Sequence, residues 1–311
     1  MKPLLKWVGG KRQLLPLLRP FYPRTFGTFV EPFVGSGAVF FDLYGAGRLE
    51  GARAILIDSN PDLIGTYTMV RDAPDAVADA LERLAAGHAA GGAQFYYEVR
   101  DQHFNPARAA TAHKGTRYTP ELAAMLLYLN RTGYNGLFRV NARGGYNVPA
   151  GRYIRPRIAD RARVHAAAAA LGAPGVELRL GSFDLVTELA AGGDFVYLDP
   201  PYAPLSATAN FTNYTAPGFG AAEQATVQAC AVTLASRGCQ VLLSNSTAPL
   251  IASLYDGNPA TAAAGLVAHR VPARRAINRH AAGRGPIEEY VISNIAPHRS
   301  SSSDGAAAKR G

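Results

Sequence analysis

FGTFVEPFVGSGAVFFDLYG, residues 26–45, is followed after a short gap by AILID, residues 54–58. Phe26 to Glu31 is a short apolar run ended by Pro32, which cannot donate to a ladder, so it reads as a buried strand. Gly35 and Gly37 bracket a tight turn, and Ala38 to Tyr44 then start a helix. Ala54 to Asp58 is a second buried strand with an acid at its C-terminal end. Strand, glycine turn, helix, strand and acid predict the opening of a doubly wound, Rossmann-like α/β sheet. The turn lacks full GxGxxG spacing, and glycines between a strand and a helix often serve packing alone. Asp58 lies about twenty residues on, where an acid accepts hydrogen bonds from ribose hydroxyls in such folds. Capping the turn before Asn60-Pro61 is the competing role for the same carboxylate.

The α/β pattern resumes after an Ala-rich helix at 159–171. Strands are expected at 176–180, 195–199, 240–245, 266–271 and 287–293, with a helix at 221–237. The sharpest feature is FVYLDPPY, residues 195–202. An apolar strand delivers Asp199 to the C-terminal edge of the sheet, where α/β proteins bind ligands. Pro200 and Pro201 block helix and ladder alike, so a rigid turn groups the Asp199 carboxylate, the Pro200 carbonyl and the Tyr202 ring. Two acceptors and a stacking face suit a planar purine with an exocyclic amine. A plain proline-rich strand cap is the alternative.

Residues 62–158 change character. Pro61 to Leu84 and Tyr96 to Phe104 read as helices joined by a Gly/Ala-rich connection at 85–93, and Pro120 to Arg131 as a helix with proline in its first turn. TGYNGLFRVNARGGYNVPAGRY, residues 132–153, carries hairpin signals at Asn135-Gly136 and Gly144-Gly145. This segment reads as an inserted domain of helices plus a β-hairpin. Residues 1–61 and 159–298 then form one α/β domain, and 299–311 a disordered tail.

With 48% hydrophobic and 18% charged residues over 311 positions, the chain is too apolar for a disordered protein and long enough to bury a core. Its net charge of +9 is concentrated. Eight arginines meet one acid, Asp160, between Arg131 and Arg163, and five arginines meet none between His269 and Arg284, leaving the remainder acidic. One such patch is as well explained by a solvated face. Two patches, the first interleaved with Tyr134, Phe138, Tyr146 and Tyr153, point to nucleic acid, because arginines hold phosphates and aromatics stack on bases. Two cysteines, Cys230 and Cys239, exclude a disulfide scaffold and fit a reducing compartment. No apolar run reaches membrane-spanning length, so a cytoplasmic, nucleoid-associated protein with no membrane partner is expected.

The seven histidines show no paired metal spacing, and no metal is expected. KWVGGK, residues 6–11, sets the only tryptophan, Trp7, between Lys6 and Lys11 and beside two glycines. Backbone and cation can both approach a ligand there; an anchor for the N-terminus is the other role for Trp7.

KWVGGK, EPFVGSG (31–37), LNRTGYNGLFRVN (129–141), NVPAGRY (147–153) and DPPYAPLSATANFTNY (199–214) come in that order. Together they resemble the signatures of Dam-type DNA adenine-N6 methyltransferases, over Leu4 to about Ile292. The resemblance implies S-adenosylmethionine as methyl donor, duplex DNA as partner, GATC as site and a monomer. Matched by position, Trp7 and Lys11 would lie at the methionine end of the donor, Gly35 and Gly37 close to it, and Asp58 on its ribose. Asp199 would border the donor and, with Pro200 and Tyr202, hold the target adenine. Lys6 matches a lysine that reads a guanine. Tyr134, Asn135, Leu137, Arg139 and Pro149, with Tyr153, match the hairpin that enters DNA, Arg139 being placed to fork onto a guanine's O6 and N7. Thr132 and Phe138 depart from the family's tyrosine and cysteine, which puts the hairpin contacts there in question.

Two other readings are open. One is methylation of RNA adenine, cytosine N4 or a glutamine amide; Asp199 favours adenine, since the last two usually resemble SPPY or NPPY. The other is a catalytically silent DNA-binding regulator on the same fold, which the intact cofactor and catalytic motifs count against.

Overall fold

The computed structural model describes residues 1–7, 9–114, 117–204, 219–273 and 287–298. Residues 205–218, which include most of the DPPYAPLSATANFTNY motif, 274–286 of the second basic patch and the expected tail at 299–311 lie outside the described residues. The strands are β1 (Thr28–Glu31), β2 (Arg53–Asp58), β3 (Val176–Leu180), β4 (Phe195–Leu198), β5 (Gln240–Ser246), β6 (Val267–Ala273) and β7 (Ile287–Ser293). The helices are α1 (Leu15–Leu18), α2 (Ala38–Gly45), α3 (Pro61–Asp72), α4 (Pro74–Glu98), α5 (Asn105–Lys114), α6 (Pro120–Thr132), α7 (Arg161–Leu171), α8 (Val186–Leu189), α9 (Ala221–Ser236), α10 (Pro249–Tyr255) and α11 (Pro259–Ala263). In the two α/β segments, the predicted strands and helices stand within two residues of their expected ends. The class is the doubly wound α/β fold that the glycine turn predicts.

The chain divides into two compact units, Met1–Lys11 with Thr28–Glu188 and Arg12–Gly27 with Leu189–Gly311. In the first, three parallel strands run in the order β3-β2-β1, Val30 opposite Ile55 and Leu56 opposite Leu178. Phe29, Val30, Ala54, Leu56 and Ile57 are fully buried, as parallel strands covered on both faces must be. The Asn60 side chain caps α3, accepting from the amides of Asp62 and Leu63, with Pro61 in the first turn. In the second unit the order is β4-β5-β7-β6: β4 is parallel to β5, and β7 antiparallel to β5 and β6.

The helical segment departs from its expected outline in three places. The helix expected through Leu84 breaks at Ala73 (φ −141°), where Pro74 opens a new one. The connection expected at 85–93 is helical up to a kink at Gly92 (φ 53°), where two helical runs meet within α4. The hairpin is not a ladder. Among the described residues it has two antiparallel bridges outside the named strands, Gly133 with Ala150 and Val140 with Tyr146.

Asn135 (φ 54°) and Gly136 (φ 64°) form a 3₁₀ turn straight after α6, in the left-handed region these residue types tolerate. The chain reverses at 141–145, at the expected Gly144-Gly145 signal, where the Asn141 amide donates to Gly145 O at 2.8 Å. Side chains stand in for the missing ladder. Asn105 bonds both the amide and the carbonyl of Tyr146, at 2.8 and 3.0 Å. Tyr96 Oη donates to Val148 O at 2.9 Å, and Tyr146 Oη to Leu137 O at 3.1 Å.

Candidate functional site

In the first unit the turn after β1 is tied to the end of β2, the Val34 amide donating to Ile57 O at 3.0 Å. Gly35 (φ 46°) donates its amide to Asp58 Oδ2 at 3.1 Å, and Asn60 donates to Oδ1 at 2.9 Å. Buried Tyr67 donates its hydroxyl to Gly35 O at 2.8 Å. Burial lifts the Asp58 pKa above the ordinary carboxylate value, and the two amides oppose that rise. Asp58 therefore caps this turn, while each oxygen keeps a further lone pair for a ligand hydroxyl.

A Cβ on Gly35 would lie 2.9 Å from Trp7 Cδ1, so the indole lies directly against the turn. Trp7 also stacks on Phe138, centroids 5.5 Å apart and planes 25° from parallel. Trp7, Gly35 and Asp58 thus come together. At Gly37 (φ 65°) a Cβ would meet the Phe41 ring at 3.2 Å, and buried Lys11 turns its Nζ onto Gly9 O at 2.6 Å.

In the second unit, register builds the site. Leu198 pairs with Leu243, so the next residues, Asp199 and Ser244, fall side by side. Ser244 Oγ donates to Asp199 Oδ1 at 3.0 Å, and Tyr197 Oη lies 2.9 Å from Ser244 Oγ. Tyr202 Oη donates to Glu289 Oε2 at 2.8 Å. Burial, then the charges of Asp199 and Glu289, push the Tyr202 pKa far up, so its phenol stays neutral.

The double-proline turn is held by buried polar side chains. Gln224 Nε2 donates to Pro201 O at 2.7 Å, and Asn245 Nδ2 to Gln224 Oε1 at 2.9 Å. Ala203 donates its amide to Asn245 Oδ1 at 3.3 Å, and Ser246 Oγ donates to Ala203 O at 2.6 Å. Ser244, Asn245, Ser246, Gln224 and Glu289 are absent from the residues that sequence motifs single out. The available signal is a polar triplet, Ser244-Asn245-Ser246, closing an apolar strand, since buried polar groups need partners.

The expected DNA-facing residues belong to the first unit. Lys6, Tyr134, Asn135, Pro149 and Tyr153 are exposed, while Leu137 and Arg139 are half-buried. Lys6 Nζ sits 4.8 Å from the centre of the Tyr153 ring. Arg139 docks on Asn147, Nε to Oδ1 at 2.8 Å and Nη2 to the backbone carbonyl at 3.3 Å. Arg143, Arg152, Arg155 and Arg157 are exposed around them. Three other arginines of this patch have internal work. Arg131 is buried on Ile158 O, its pKa lowered to about 10 by burial and by Arg163. Arg163 reaches Pro3 O, and Arg161 faces Asp75, Asp79 and Glu82. Among the described residues no cluster of three or more His, Cys, Asp or Glu could hold a metal ion. None of their helices is long and apolar enough to cross a membrane.

Residues 7–271 match the model of the D12 class N6 adenine-specific DNA methyltransferase, and the chain belongs to that family. It is 35% identical over 295 residues to the type II methyltransferase M1.LlaDCHI of Lactococcus lactis subsp. cremoris, covering 94% of this chain and 95% of that protein. It is 36% identical to the DNA adenine methylase of Escherichia coli K12 over 92% of this chain and 93% of that one. The DNA adenine methylase of Vibrio cholerae O395 is 34% identical, over 96% and 97%. The chain is an enzyme that methylates adenine in DNA.

Proposed function

We propose that the enzyme moves a methyl group from S-adenosylmethionine to N6 of an adenine flipped out of duplex DNA, within GATC, and that it acts as a monomer. The observation that carries this reading is the Asp199 carboxylate, bonded by Ser244 at the head of a double-proline turn that Gln224 holds at Pro201.

The donor supplies an electrophilic methyl on a sulfonium. The first unit suits the donor: Gly35 leaves backbone where a Cβ would press on Trp7, and Asp58 has lone pairs for the ribose hydroxyls. Trp7 and Lys11 serve its amino-acid end, and Gly37 keeps the turn tight.

Adenine's amine is a poor nucleophile because its lone pair is delocalised into the ring. Asp199 and the Pro200 carbonyl, both acceptors, draw the amine towards tetrahedral geometry and release that pair. Positioning and fixed dipoles then supply most of the rate. Tyr202 stacks on the base and recovers part of the few kcal/mol that flipping costs. Transfer is direct: the amine gains the methyl as the donor's sulfur–methyl bond breaks with its electron pair left on sulfur, and the amine's surplus proton passes to water. Cys230 and Cys239 are both buried, Cys239 Sγ donating to Ala191 O at 3.2 Å.

Recognition falls to the insert at 62–158 together with Lys6. Tyr134, Asn135, Leu137, Pro149 and Tyr153 enter or flank the duplex, and Lys6 and Arg139 each read a guanine. Its relatives carry two kinds of name, type II methyltransferase and DNA adenine methylase.

The test is transfer of tritiated methyl from S-adenosylmethionine to a plasmid, followed by nucleases that cut GATC only when it is methylated or only when it is not. Label on N6-methyladenine with protection confined to GATC is expected. Label on cytosine, or protection elsewhere, would overturn the reading.

A further inference from the structure

Asn130, in the last turn of α6, is 2% exposed. Its side chain makes three hydrogen bonds, all to backbone. Oδ1 accepts the Lys6 amide at 2.9 Å, and Nδ2 donates to Lys6 O at 2.7 Å and to Gly136 O at 2.9 Å. One amide thus pairs with both polar groups of a residue 124 positions earlier, as a neighbouring strand would, and joins it to the turn at Asn135-Gly136.

The rest of Lys6 is placed by the same stretch of chain. A Cβ at Gly136 would lie 2.7 Å from Lys6 Cβ and 2.8 Å from its Cδ, so the lysine stem runs directly over the turn. Its ammonium sits over Tyr153, whose hydroxyl donates to Gly133 O at 3.3 Å. Backbone, stem and head of Lys6 are therefore fixed by Asn130, Gly136 and Tyr153 in turn.

We propose that Asn130 is a positioning residue that makes Lys6 and the Tyr134–Arg139 turn read DNA as one element, so that discrimination at their two base pairs is coupled. This rests on the reading of Lys6 and Arg139 as guanine readers and deepens it. Asn130 is buried and touches no DNA. Removing its amide strands the Lys6 amide and carbonyl and the Gly136 carbonyl together, and buried groups without partners drive rearrangement of both segments.

The experiment compares kcat/KM of the full-length enzyme on a GATC duplex and on duplexes with either G·C pair changed to A·T. Lys6→Ala and Arg139→Ala should each lower discrimination about tenfold at one pair only. Asn130→Ala should lower it at both pairs at once, whatever its overall rate. Gly136→Ala, whose Cβ intrudes on the Lys6 stem, should do the same and serves if Asn130→Ala does not fold. An equal fall in kcat/KM on every duplex, or relaxation at one pair alone, would overturn the coupling. If the two single reader variants relax discrimination but Asn130→Ala and Gly136→Ala do not, only the coupling fails. If the reader variants themselves keep full discrimination, the base-reading assignment fails and the coupling with it.

Discussion

At the end of β2, Asp58 accepts hydrogen bonds from the amides of Gly35 and Asn60, whereas Asp199, one residue beyond β4, accepts one from the hydroxyl of Ser244. Both acids follow a buried parallel strand, yet one is held by the main chain and the other by a side chain. A carboxylate bound by two backbone amides is part of the turn itself, and losing it deforms the loop. The Asp199 carboxylate meets a serine hydroxyl, which is itself bonded to Tyr197. On the proposed reading, the first arrangement shapes a cradle and the second aims a reactive group.

Removing each acid in turn tests that contrast. The largest effect belongs to Asp199→Ala, which should slow methyl transfer about a thousandfold or more, as loss of a preorganised contact to the reacting group does. Duplex affinity, followed by gel shift, should stay within a few-fold; a matching loss of binding would make Asp199 a DNA contact. Ser244→Ala should lower kcat by about tenfold to a hundredfold through misplacement, with KM for DNA unchanged and recovery in Ser244→Thr. A change in melting temperature alone would reduce Ser244 to a packing residue.

Asp58→Asn should behave differently. It replaces one acceptor oxygen with an NH2 facing a backbone donor, which costs about 1–3 kcal/mol for an unsatisfied buried group. Calorimetry should show weaker cofactor binding and a lower melting temperature, with the rate at saturating cofactor preserved. Arg139, held by both the side chain and the backbone carbonyl of Asn147, tests the recognition segment. Arg139→Ala is expected to relax one guanine by about 1–3 kcal/mol, without loss of fold. A uniform fall in affinity at every sequence would make it a phosphate contact.

Where structure depends on local pattern, the sequence was readable. Apolar runs marked β1, β2 and β4, ended by proline after β1, by an acid in β2 and by Asp-Pro-Pro after β4, and Pro61 marked the start of α3. The Gly/Ala-rich stretch inside α4 was not readable, because alanine favours helix as strongly as glycine opposes it and packing decides. The hairpin was half readable: Asn135-Gly136 marked a left-handed turn and Gly144-Gly145 marked the reversal at 141–145, but the packing of its flanks depends on Asn105, Tyr96 and Tyr146, far apart in the chain. The partners of Asp199 were hidden for the same reason. Nothing local ties Ser244, Gln224 or Glu289 to residues 199–203; strand register and helix packing bring them there. Likewise KWVGGK draws attention to the Lys6 side chain, while the residue that holds its backbone is Asn130.

One measurement separates the two acids: single-turnover methylation of a GATC duplex by Asp58→Ala and Asp199→Ala, with S-adenosylmethionine raised to saturation. Asp58→Ala should recover to near the wild-type rate as donor is added, and Asp199→Ala should stay inactive at every concentration. Recovery of Asp199→Ala at high donor, or a rate defect in Asp58→Ala that saturation does not cure, would contradict the division of labour between cradle and reactive turn.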